Sequence, residues 1–139
     1  MERNAFLKLL GTGALAACAG CALESCSSKA GDPIPAPVNV DFTLDLTISP
    51  NTVLQTPGGS VSKGGLIVVR VSASEFTALS QACTHAGTTV NYQPTAQNFL
   101  CPNHGSKFAT SGAVLNGPAA SPLHKYNTEL TGNNLRVFS

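Results

Sequence analysis

The 139-residue chain contains Cys83-Thr84-His85-Ala86-Gly87 and, with fifteen residues between His85 and Cys101, Cys101-Pro102-Asn103-His104-Gly105-Ser106. Each segment combines one cysteine, one histidine and a glycine, the residue that most readily adopts the backbone of a tight turn. Two thiolates and two imidazoles form a donor set suited to iron or zinc. The sequence therefore predicts a metal centre built on two short loops, residues 83–88 and 101–108.

The two segments resemble the Rieske iron–sulfur family, in which two Cys hold one iron of a [2Fe–2S] cluster and two His hold the other. The resemblance implies that Cys83 and Cys101 bind the inner iron, and that His85 and His104 bind the outer, solvent-facing iron. It extends to 117–123, which begins with Gly-Pro and resembles the Pro loop that covers one flank of the cluster in this family.

Four further residues take positions that tune the cluster in the family. The resemblance implies that Gly87 and Gly105 let the backbone approach the cluster and point N–H groups at sulfur. Ser106 stands where higher-potential members donate a hydroxyl hydrogen bond to a bridging sulfide. Phe108 stands where those members have a tyrosine whose hydroxyl bonds a ligand sulfur, so the chain is expected to lack that second donor.

The chain also departs from cytochrome-complex members of the family, which join their two cluster loops by a disulfide. The corresponding positions hold Thr88 and Asn103. The resemblance is therefore to a disulfide-free variant, whose loops depend on the metal and on hydrogen bonds for their order. His124, a lone histidine beyond the Gly-Pro segment, is expected on the surface.

The same four side chains are compatible with a tetrahedral Cys2His2 zinc site. Zinc patterns more often pair Cys with Cys and His with His, and they do not require the glycines and the serine that follow the ligands here. Iron is the favoured interpretation, and zinc is the alternative.

Period-two patterning predicts an all-β body. Apolar residues alternate with polar ones over 41–48, an apolar run covers 66–71, and 130–137 reads as a closing hairpin. No α-helix is predicted in the body. With the resemblance, this pattern favours a Rieske-type antiparallel β-sandwich with a small cluster-binding subdomain made of two loops.

The N-terminal segment 1–17 has basic residues followed by a short apolar run, which is typical of an export signal. It ends in Leu-Ala-Ala before Cys18, which resembles a bacterial lipobox and makes Cys18 the candidate lipid anchor, with Cys21 as the second candidate. Residues 3–8 also resemble a twin-arginine motif with Asn4 in place of the second Arg. An ordinary Sec signal or an uncleaved helical anchor remains open.

Residues 18–40 contain alternating prolines that favour an extended tether. The predicted organisation is thus a leader at 1–17, a lipid-anchored Pro-rich tether at 18–40 and a Rieske domain at 41–139. These features predict an exported bacterial protein held on the periplasmic side of a membrane by its lipid anchor.

Loss of a leader ending at Ala17 would leave six basic and six acidic residues. A neutral, sparsely charged chain without a basic run argues against nucleic acid as a partner. The expected function is one-electron transfer between a redox donor and acceptor, such as a c-type cytochrome or a larger oxidoreductase subunit. The alternatives are a small Rieske subunit of a multi-subunit oxidoreductase, arsenite oxidase-like or cytochrome-complex-like, and a metal-stabilised structural domain.

Overall fold

The computed structural model describes residues 35–139. The predicted leader, Cys18 and most of the predicted tether lie outside the described residues. Within the described part, ten β-strands and one 3-10 helix follow the order β1 Asp41–Asp45, 3-10 helix Asn51–Gln55, β2 Ser60–Lys63, β3 Leu66–Arg70, β4 Phe76–Ser80, β5 Asn91–Gln93, β6 Asn98–Leu100, β7 Lys107–Ala109, β8 Val114–Asn116, β9 Lys125–Thr131 and β10 Asn134–Phe138.

The strands form two antiparallel sheets, which confirms the predicted all-β class. The larger sheet has six strands in the order β1-β10-β9-β4-β3-β2, and the smaller has four in the order β5-β6-β7-β8. The smaller sheet supports the cysteine- and histidine-containing loops, so the subdomain that carries them contains four strands as well as the two loops.

Strand β3 is buried on both faces, which explains its uninterrupted apolar sequence. Leu66 and Val68 point into one hydrophobic core, whereas Ile67 and Val69 point into another. The first core lies inside the six-stranded sheet. The second core lies between that sheet and the four-stranded sheet, and it includes both cysteines of the predicted site. The site is therefore built into the interface of the two sheets.

The six-stranded sheet curls so that its two edge strands approach each other. The Lys63 ammonium on β2 lies 5.0 Å from the ring centroid of Phe42 on β1. Phe42 packs against the first core together with Val40, just before β1. Curling of this kind leaves little free edge for another strand to pair with.

The chain just before β1 is fastened to the body. The Tyr126 hydroxyl donates a 2.7 Å hydrogen bond to the Pro37 carbonyl. The backbone N–H of Val40 donates to Ser139 Oγ at 3.1 Å, and the Ser139 N–H donates to the Val40 carbonyl at 2.9 Å. Residues 37–40, predicted as part of the tether, thus pack on the domain.

The alternating pattern of 41–48 was expected to form one half-buried strand, and this prediction is wrong beyond Asp45. The Asp45 carboxylate accepts hydrogen bonds from the Thr47 N–H at 2.9 Å and the Thr47 hydroxyl at 2.6 Å, which turns the chain. Leu46 is still buried, but Ile48 is 59% exposed. The 3-10 helix that follows was not predicted.

The two ends of the molecule differ in what they carry. Strands β4 and β6 lead into loops 83–88 and 101–106, so we call this side the loop end. Strands β3 and β9 begin there, because Leu66 pairs with Ser80 and Lys125 pairs with Leu79. The opposite side, with the β9–β10 turn and the 3-10 helix, is the far end. Over residues 35–139, no helix is long and apolar enough to cross a membrane.

Candidate metal centre

The two loops have the same backbone hydrogen bonds although their sequences differ. In the first loop the Gly87 N–H donates to the Cys83 carbonyl at 2.7 Å, and the Cys83 N–H donates to the Thr88 carbonyl at 2.8 Å. In the second loop the equivalent distances are 3.0 Å for Gly105 to Cys101 and 2.8 Å for Cys101 to Ser106. Each cysteine is therefore held by a bond to the fourth and to the fifth residue after it.

Each loop needs its glycine for conformation. Gly87 and Gly105 have φ angles of 76° and 79°, in the left-handed region that side chains disfavour. Their own N–H groups donate to the cysteine carbonyls, and the prediction that the loop backbones point N–H groups at cluster sulfur stays a prediction.

The two cysteines are the buried half of the site. Cys83 is 0% exposed and Cys101 2% exposed, and both are free thiols. Burial raises the pKa of the Cys83 thiol most, the N–H groups of His85 and Ala86 oppose that shift, and the neighbouring Cys101 thiol adds to it. Two adjacent thiols in a dry site favour a cation that binds both as thiolates.

The two histidines are the outer half of the site. His85 is half-buried and His104 is exposed. Their Nδ1 atoms lie 3.2 Å apart, and their rings meet edge to face with centroids 4.8 Å apart. Two nitrogen ligands on one tetrahedral metal, with bonds of about 2.0–2.1 Å, lie about 3.3–3.4 Å apart. The histidine pair therefore fits one metal ion bound through both Nδ1 atoms.

Ser106 and Phe108 lie directly beneath the loops. Both are 0% exposed, and Phe108 packs in the same core as the two cysteines. Ser106 Oγ accepts a 3.0 Å hydrogen bond from the Ala119 N–H. Phe108 pairs with Phe99 across β6 and β7. The structure thus places both predicted tuning residues at the base of the site.

Segment 116–121, which we call the strap, is bonded to both loops. The Thr84 hydroxyl of the first loop donates to the Ser121 carbonyl at 2.6 Å. The Ala119 N–H donates to Ser106 Oγ of the second loop. The Asn116 amide donates to the carbonyls of Gly105 at 3.2 Å and Gly117 at 3.1 Å. The sequence indicated a covering loop here, but the roles of Thr84, Asn116 and Ser121 were missed.

His124 is not part of the site. Its ring is exposed and lies edge to face with Tyr126 at 4.8 Å, while its backbone N–H donates to Ser80 Oγ at 3.1 Å. The structure agrees with the expectation of a surface position. Thr88 and Asn103, the positions of the missing disulfide, both lie in the loops, where Thr88 contributes only its carbonyl to loop closure.

Two buried thiols and an outer pair of imidazoles, on loops held by small β-sheets, are the donor types of a mixed-ligand iron–sulfur site. The family model described as the Rieske [2Fe-2S] domain matches residues 45–127. The chain belongs to this family, and its cofactor is a [2Fe–2S] cluster, as the resemblance implied.

Curated relatives and solved structures agree with this membership. The chain is 31% identical over 107 residues to the cytochrome b6-f complex iron-sulfur subunit of Synechococcus sp. (strain JA-3-3Ab), covering 77% of this chain and 61% of the relative. It spans less than two thirds of such relatives, and only 39% of the corresponding subunit from Chlorobaculum thiosulfatiphilum.

Two of the solved structures that are similar to this chain come from membrane systems. The cyanobacterial plasma membrane Rieske protein PetC3 from Synechocystis PCC 6803 has a TM-score of 0.51 and 40% identity, covering 58% of this chain and 83% of that one. A chain of a hyperthermophilic respiratory Complex III has a TM-score of 0.50 and 27% identity, covering 67% of this chain and 71% of that one. The first of these structures is described as a Rieske protein, in agreement with the family model.

Proposed function

We propose that the protein is a one-electron carrier tethered to the outer face of a bacterial membrane. Cys83 and Cys101 hold the inner iron of its [2Fe–2S] cluster, and His85 and His104 hold the outer iron. When bound, the cluster supplies reversible one-electron chemistry in a range of roughly −150 to +300 mV.

The observation that carries the proposal is the division of the site into a buried sulfur side and an outer nitrogen side. Cys83 and Cys101 are almost completely buried, whereas the rings of His85 and His104 reach the surface. An electron entering or leaving through the imidazoles crosses the least protein, while the sulfur side stays dry. The chain's part in the reaction is to hold these ligands still and to exclude water from the inner iron.

The arrangement also favours two metal ions over a single zinc. The sulfur pair and the nitrogen pair are each close, as a cluster with two irons requires. A tetrahedral Cys2His2 zinc site would need all four donors around one point.

Tethering through Cys18 is supported by sequence and by similarity. The leader ends in Leu-Ala-Ala before that cysteine, and a proline-rich stretch follows. The similar structure from Synechocystis PCC 6803 is that of a plasma membrane protein. Within the proposal, the donor and acceptor are redox proteins on the same side of the membrane, such as a c-type cytochrome.

A second candidate function is a small subunit of a larger oxidoreductase. The curated relatives of this chain are iron-sulfur subunits of cytochrome b6-f complexes. Purification from native membranes under mild detergent separates the two functions, because a subunit recovers a larger chain in fixed stoichiometry and a carrier is recovered alone.

The ligand assignment is tested by metal analysis and electron resonance on protein matured in the cell. We expect about two irons and two acid-labile sulfides per chain and a reduced-state signal of the Rieske type. His104→Ala should lose the cluster, whereas His124→Ala, the matched control on an exposed histidine outside the site, should keep it. Stoichiometric zinc in place of iron, or an intact cluster in His104→Ala, refutes the assignment.

A further inference from the structure

The described charges are distributed unequally between the two ends of the molecule. Residues 76–128 contain no Asp or Glu, and these residues include both loops and the strap. Lys107 directly follows the second loop. Lys125 pairs with Leu79, close to the first loop. Lys63 pairs with Leu66 at the start of β3. All three lysines are exposed at the loop end.

The carboxylates lie elsewhere. Asp45 pairs with Asn134 at the β9–β10 turn, Glu75 precedes β4, and Glu129 lies on the far half of β9, so three acids occupy the far end. Asp41 is at the loop end, but its carboxylate forms a 2.7 Å ion pair with Arg136.

The remaining cation, Arg70, does not cancel this asymmetry at the loop end. It lies at the far end of β3, and its guanidinium donates to the backbone carbonyls of Ser72, Leu54, Gln55 and Ala73. Among the side chains of residues 35–139, the far end therefore carries three carboxylates and one arginine, whereas the loop end carries three lysines beside one neutralised ion pair. A chain that is nearly neutral as a whole presents a positive face around the half-buried His85 and the exposed His104.

We propose that this positive face, formed mainly by Lys107 and Lys125, docks an acidic surface of the redox partner protein. The inference rests on the proposed carrier function, because it assigns docking chemistry to the face through which the electron passes. Oppositely charged faces raise association rates and orient the encounter, and salt weakens both effects. Charge at the loop end would thus present His85 and His104 to the partner while the acids at the far end face away.

The test uses two double variants of the full holoprotein with the same change in net charge. Lys107→Gln/Lys125→Gln removes two charges at the loop end. Ser60→Glu/Thr131→Glu adds two negative charges at the far end, where both residues are exposed. Because both variants change the net charge equally, any difference in their behaviour reflects the position of the changed charges.

The first readout is retention on a carboxymethyl resin, which mimics an acidic surface and does not depend on electron transfer. The lysine variant should elute at clearly lower salt than the far-end variant. Equal elution of the two variants would overturn the proposal.

The second readout is oxidation of the reduced protein by anionic ferricyanide and by cationic tris(phenanthroline)cobalt(III), each of which accepts one electron. At low ionic strength the lysine variant should react with ferricyanide at least about threefold more slowly than the far-end variant, and faster with the cobalt complex. The difference should shrink as salt is added. Electron transfer at identical rates in both variants would refute the docking surface and leave the carrier function intact, whereas no electron transfer to either reagent would refute the carrier function itself.

A membrane occupant gives a different result. If the lysine variant loses binding to phosphatidylglycerol vesicles but both variants keep identical electron-transfer rates, the positive face contacts anionic lipid and the protein partner is rejected.

Discussion

The backbone N–H of Ala119 donates a 3.0 Å hydrogen bond to the Oγ of Ser106, and both residues are buried. With an oxygen lone pair occupied by the strap, the Ser106 hydroxyl hydrogen is turned away from Ala119 and is free to donate elsewhere. Ala119, the donor to this hydroxyl, belongs to the second core together with both cysteines. This arrangement supports the expectation that Ser106 donates to cluster sulfur.

We predict that Ser106→Ala lowers the reduction potential by about 40 mV, since losing one hydrogen bond worth about 1 kcal/mol disfavours the more negative, reduced state. Protein-film voltammetry measures the shift. The matched control is Thr84→Val, which also breaks a bond to the strap but removes no donor from beneath the loops. A shift of equal size in both variants would mean that loop movement, and not a sulfur donor, sets the potential.

Phe108→Tyr should raise the potential by a similar amount if the new hydroxyl reaches a ligand sulfur. The ring at 108 is completely buried beside both cysteines, so an added hydroxyl has no route to solvent. The same change at Phe99, also completely buried and paired with Phe108, serves as the control. An unchanged potential in Phe108→Tyr would place the para position away from the cluster.

Thr84→Val should destabilise the loops because it removes the 2.6 Å bond to the Ser121 carbonyl. We expect a loss of about 1 kcal/mol in the free energy of unfolding, measured by denaturant titration of the holoprotein. Cluster loss should occur at lower denaturant than in the wild type. Thr89→Val, at an exposed neighbouring threonine, should leave both quantities unchanged.

Arg70→Met should lower the free energy of unfolding by about 2 kcal/mol, since its guanidinium bonds carbonyls of the 3-10 helix and of the β3–β4 connection together. Arg70→Lys should not restore stability, because one ammonium lacks the planar fork that reaches several acceptors. Arg136→Met, which breaks an exposed ion pair, should have little effect. Thermal unfolding that ranks Arg136→Met as the more damaging change would contradict this account.

Mass spectrometry of membrane-extracted protein should find a mature chain that begins at a lipidated Cys18. Cys18→Ser should release the protein from the membrane fraction, whereas Cys21→Ser should not. A mature chain that starts elsewhere, or a wild type recovered entirely in the soluble fraction, would reject the lipid anchor.

The local parts of the site could be predicted from sequence, because spacing and turn glycines act within a few residues. The two loops and the burial of β3 follow from such patterns. The bond between Thr84 and Ser121 joins residues 37 positions apart, and no local pattern indicates which pairs will meet after folding. The alternating pattern predicted a strand through Ile48, but the Thr47 N–H donates to the Asp45 carboxylate and the chain turns there. A hydrophobic pattern carries no information on such a side-chain hydrogen bond.

The hydrogen bonds that close each loop stay within six consecutive residues, Cys83–Thr88 and Cys101–Ser106. The interval between the loops is a β5–β6 hairpin whose turn, residues 94–97, is exposed and far from the ligands. The hairpin can therefore be lengthened or shortened by one residue on each strand at a time without disturbing either loop. A pattern used to detect such domains in genomes should fix the two six-residue units and leave the gap between them open.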